Sequence, residues 1–89
     1  MPFPGKWVET INIADIWKND DLSLAEQRDQ IVARIKASHW YRERDADGFD
    51  ERGEAVDNLS SAADTKEFDG WWSELYDFFD YDRVWIDRF

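Results

Sequence analysis

Polar and apolar residues along this chain change period several times, and each change marks an element. "KWVETINI" carries Trp7, Ile11 and Ile13 at odd positions, a two-residue period that predicts a strand, although Glu9 interrupts it. Ile13, Ile16 and Trp17 then fall at i, i+3 and i+4, which predicts one helical turn over 14–17. The clearest helix follows. Ser23 and Glu26 have capping-box spacing, and Leu24, Ile31, Val32 and Ile35 share one stripe that also contains Arg28 and His39. Trp40 would leave that stripe, so the helix is expected to end near Ser38 or His39.

The stretch 42–54 is polar, acidic and Gly-containing, and reads as a flexible loop. Ala55, Val56, Leu59, Ala62 and Ala63 have helical spacing and predict a short second helix. Asp64 and Glu67 repeat the capping spacing and open a third, over about 66–79. In "DGWWSELYDFFDYDRVWIDRF" rings and carboxylates alternate in sequence but separate on a helical wheel. Phe68, Trp72, Leu75 and Phe79 form a narrow arc flanked by Trp71, Phe78 and Tyr76, while Asp69, Ser73, Glu74, Asp77 and Asp80 occupy the rest. "DRVWIDRF" closes the chain with strand-like alternation. The expectation is a small single α+β domain over 1–89, with about three helices and terminal strands pairing antiparallel. Residues 1–5, with two prolines and a glycine, are expected to be a mobile arm. An all-α bundle is the alternative.

Composition supports a packed core in a short chain. Among 89 residues are six Trp and six Phe, and each large ring can bury about 150–250 Å². Cysteine is absent, which excludes disulfides and thiolate chemistry and fits a cytoplasmic setting. The N-terminal stretch lacks the pattern of a secretory signal, and no apolar run is long enough to span a bilayer. No membrane association is expected.

Charge is distributed unevenly within a net −10. Residues 28–44 hold five Arg/Lys against two acids, and residues 45–82 hold thirteen acids against Arg52 and Lys66. Such a balance disfavours direct nucleic-acid binding and favours a basic partner. The alternative basic patch, Arg34, Lys36, Arg42 and Arg44, interleaves with Trp40 and Tyr41 in the manner of single-strand binders. Complementing a helix C-terminus is its simpler role.

Catalytic constellations are sparse, so no enzyme, catalytic residue or cofactor is expected. His39 is the sole histidine and reads as a hydrogen-bonded core residue. "DADGFDERGEAVD" fails the EF-hand pattern, because Phe49 holds the fifth position and Gly48 the fourth, so no metal site is assigned. Arg28, inside the apolar stripe, suggests a two-pronged pair with Asp80 or Asp82. The candidate partner-binding residues are Asp69, Glu74, Asp77, Asp80 and Asp82, with Trp71 and Tyr76 as exposed-edge anchors. Self-association through the aromatic edge, giving a homodimer, is a second reading.

"INIADIWKNDDLSLAEQRDQIVARIKASHWY" and "EFDGWWSELYDFFDYDRVWIDRF" carry D-x-x-x-N-D-D-L, R-D-x-I-V-x-R and D-R-V-W-I segments. These resemble small orphan proteins of tailed actinobacteriophages, over about two-thirds of the chain. The resemblance implies the cytoplasm of an infected bacterial host cell and action on a host or phage protein. It transfers no catalytic or binding residue.

Overall fold

The computed structural model describes residues 7–42 and 50–88. Its elements are β1 (Glu9–Asn12), α1 (Leu24–Ala37), α2 (His39–Arg42), α3 (Asp50–Ser60), α4 (Thr65–Tyr81) and β2 (Val84–Asp87). Helix accounts for 61% of the described residues. The strands are therefore a short clasp on a helical body, not half of an α+β domain.

The terminal strands pair with each other, but in parallel, with Glu9 opposite Val84 and Ile11 opposite Ile86. The antiparallel expectation is thus overturned. Unpaired backbone groups require that a strand find a partner, yet that requirement is silent on direction. Direction is set by where α4 ends. Arg83, in the left-handed region at φ 62°, turns the chain immediately after the helix. Its carbonyl accepts from Val8 N–H at 2.8 Å, so β2 begins beside the beginning of β1. The long helical crossover between the strands permits this arrangement.

Glu9 explains its own break in the alternation. Paired with Val84, its carboxylate accepts from the N–H groups of His39 and Trp40, each at 2.8 Å, and satisfies the start of α2. That helix was not anticipated. Ser38, extended at ψ 154°, ends α1 as expected, but its hydroxyl then accepts from Tyr41 N–H at 3.2 Å and starts a new turn. The described residues thus contain four helices rather than three. The fourth departure is α3, which begins at Asp50 inside the expected loop 42–54. Residues 43–49, and the expected arm at 1–5, lie outside the described residues.

Elsewhere the capping chemistry follows the sequence. Ser23 Oγ accepts from Glu26 N–H and Glu26 Oε1 accepts from Ser23 N–H, closing the box that opens α1. Asp64 caps α4 through Glu67 N–H at 2.8 Å. Glu67, however, returns its carboxylate to Ala63 N–H, one residue before the cap. Ile13 carbonyl accepts from Ile16 and Trp17, forming the expected single turn.

The buried stripe of α4, Phe68, Trp72, Leu75 and Phe79, is the largest contribution to the core. Ile31, Val32 and Ile35 of α1, Val56 and Leu59 of α3, and the inward strand residues Ile11, Val84 and Ile86 close around it. Trp17 packs on this stripe with its ring 4.9 Å from that of Trp72.

The Ser23 backbone and hydroxyl hydrogen bonds hold the Glu26 carboxyl below its ordinary range. A carboxyl that binds protons less readily folded than unfolded contributes stability above its unfolded value, lost as pH falls through the lowered folded value. Wild type should therefore exceed Glu26→Gln in stability most near neutral pH. Urea melts from about pH 7 to about pH 3 check this: the margin should narrow as pH falls below the ordinary carboxyl range.

Candidate functional site

The acids of α4 serve different purposes according to their direction. At about 100° per residue, the buried stripe leaves two flanks, with Trp71, Phe78 and Glu74 on one and Tyr76 and Asp69 on the other. The expected single acidic face is divided accordingly.

On the first flank, α4 and α3 form a groove. Only residues 61–64 join the two helices, so they run antiparallel. Glu51, Glu54, Ala55 and Asn58 line it from α3, and Trp71, Glu74 and Phe78 from α4, enclosing about 330 Å³. Ala55 is buried at the floor, whereas Glu51, Glu54 and Glu74 are exposed. Trp71 is 38% exposed, an unusual position for the largest side chain. Glu54 and Glu74 enter no ion pair among the described residues. Glu51 lies near Arg52, whose fork is engaged elsewhere.

That engagement is with Asp82. Arg52 Nε donates to Asp82 Oδ2 at 2.6 Å and a terminal nitrogen donates to Oδ1 at 2.9 Å. Trp40 Nε1 donates to the same Oδ2 at 2.6 Å. The Arg52 guanidinium also lies 4.9 Å above the Phe78 ring, where a cation gains from the ring quadrupole. Asp82 is therefore an internal structural acid rather than part of a partner-facing set. The geometry also corrects the expected pairing of Arg28. A terminal nitrogen of Arg28 donates to the Ala62 carbonyl at 2.7 Å and its Nε to the neighbouring Asp29 at 3.0 Å. A two-pronged pair with Asp82 exists, but Arg52 makes it.

On the second flank Tyr76 is half-buried between Trp72, at 6.4 Å, and the Arg88 guanidinium, at 5.3 Å. It is not an exposed anchor. Asp69 borders a different groove, with Trp17, Phe68, Lys18 and Asp20. Asp77 and Asp80 face solvent. The structure thus brings Trp71 and Glu74 together and separates them from the other candidates.

Three exposed residues were missed. Tyr81, the last residue of α4, is 82% exposed. The polar composition of 42–54 predicts a loop at Glu51 and Glu54, although with Ala55 and Asn58 they fall at i, i+3, i+4 and i+7, a helical stripe.

The alternative basic patch also divides. Arg34 is held by Asp15 through two bonds of 2.5 and 2.8 Å and by the Asn12 carbonyl at 3.0 Å. Lys36 and Arg42 are exposed, and Arg44 lies outside the described residues. Trp40, which would have stacked on bases, packs 4.6 Å from Phe79. His39 is exposed at the start of α2 rather than enclosed in the core. No described helix is long and apolar enough to cross a membrane, and no group of three described His, Asp or Glu side chains is arranged to hold a metal ion.

No protein-family model, curated protein or solved structure matches the chain.

Asp82 and Asp77 make a direct contrast within one helix and its cap. Asp82→Asn keeps the shape but weakens a half-buried charged pair, and should lower stability by about 1–2 kcal/mol. Asp77→Asn should leave the urea midpoint unchanged or slightly raised. Equal effects from the two would remove the distinction.

Proposed function

We propose that the chain is a non-enzymatic acidic protein that binds a basic surface of another protein through the α3–α4 groove. The observation that carries this reading is Trp71, exposed on a wall of a groove bordered by Glu51, Glu54 and Glu74. Tryptophan supplies large contact area, and hot spots of protein interfaces are enriched in it. The surrounding carboxylates complement lysine and arginine. The net charge of −10 would accelerate encounter with such a partner over distances comparable to the Debye length.

The likeness to phage orphan proteins suggests the setting, an infected bacterial cytoplasm, and a host or phage protein as the partner. In the extreme form of this reading, carboxylates displayed on rigid helices stand in for phosphates and occupy a nucleic-acid site. The solvent-facing Asp77 and Asp80 would extend that surface beyond the groove.

Affinity capture from actinobacterial lysate tests the reading when wild type is compared with Trp71→Ala and with a Glu51→Gln/Glu54→Gln/Glu74→Gln triple variant. A basic protein retained by wild type should be lost from both variants, and its association rate should fall steeply with salt. Equal capture by all three would contradict the groove as the site.

A further inference from the structure

We propose that the occupant of the α3–α4 groove is a basic amphipathic helix of the partner. This rests on the reading just given and adds to it the secondary structure of what is bound. Both walls are helices. The lining residues run from Glu51 to Asn58 on α3 and from Trp71 to Phe78 on α4, a rise of seven residues each. At about 1.5 Å per residue that is a trough of roughly 10 Å, or two helical turns. Antiparallel helices present such a trough to a third helix, whose side-chain ridge enters it at an interaxial distance of about 8–10 Å.

The chemistry of the trough varies across its width. Its apolar part is the buried Ala55 with Phe78 and Trp71. Carboxylates stand on both sides, Glu51 and Glu54 on α3 and Glu74 on α4. A helix with apolar residues at i, i+3 or i+4, and i+7, and with Lys or Arg on both flanks, meets floor and rims together.

An extended segment fits less well. It acquires affinity by hydrogen-bonding to a free strand edge and alternates its side chains between opposite faces, and neither wall here is a strand. A flat basic surface could meet the carboxylates but could not reach Ala55.

Two other grooves among the described residues lack this match. Where β1 meets α1, Glu9 and Arg34 line the groove with their charges already satisfied by α2 and by Asp15. Beside Trp17, Lys18 shares the rim with Asp20 and Asp69, so the charge there is of mixed sign.

Three fluorescein-labelled synthetic peptides of about eighteen residues separate the possibilities. The first places Leu at i, i+3 or i+4 and i+7 with Lys on both flanks. The second scrambles the same residues to abolish the stripe, and the third keeps the pattern but carries a central proline. Fluorescence anisotropy against the full chain should show the first binding at least tenfold tighter than the others. Circular dichroism should show that it gains helix on binding. Trp71→Ala and, independently, Glu54→Lys should each weaken it at least tenfold, with wild-type far-ultraviolet spectra confirming that both variants are folded. Salt-sensitive binding of equal strength by all three peptides would overturn the helical occupant while leaving a basic partner in place. Absence of binding by any of them would overturn both.

Discussion

Asp82 accepts two hydrogen bonds from Arg52 at the beginning of α3 and one from Trp40 in α2. It lies between the last turn of α4 and the first residue of β2, so three distant stretches of chain meet at one carboxylate. The pair is largely withdrawn from water, with about a fifth of each side chain exposed, where an unpaired charge would be strongly unfavourable. Glu9 completes the assembly by holding the backbone start of the same α2. Together the two acids bring the beginning of β1 to the end of α4, which makes the strand pair parallel. The same clasp anchors the beginning of α3 against the end of α4 and so fixes the walls of the groove.

Carboxylates consequently do two kinds of work in this acidic protein. Glu9, Asp15, Glu26, Asp64 and Asp82 each accept hydrogen bonds within the fold, capping helices or receiving an arginine. Glu54 and Glu74 do neither among the described residues. Like charges collected around a groove repel one another and oppose folding by a small amount, whereas they attract a basic partner. The exposed Trp71 beside them gives that attraction a place to end in contact.

Much of the fold was legible because it is local. The Ser23–Glu26 box, the hydrogen-bonded turn after Ile13 and the buried stripe of α4 follow from spacing within a few residues. Strand direction was not legible, since it depends on Glu9 and Asp82 reaching across the molecule. Nor was the choice of Arg52 over Arg28: both can pack an aliphatic stem, and only tertiary position decides which fork meets Asp82. Of the site, Trp71 and Glu74 were anticipated from the helical wheel. Glu51 and Glu54 were obscured by the polar, Gly-containing composition of 42–54, which resembles a loop although α3 begins at Asp50.

The division of the acids into structural and partner-facing groups is the central claim, and equilibrium urea unfolding of the Glu54→Gln/Glu74→Gln double variant at low salt tests it most directly. If these carboxylates face a partner and only repel one another in the free chain, the midpoint should equal or exceed that of wild type. A lower midpoint would show that they stabilise the fold, and would contradict their assignment to a binding surface.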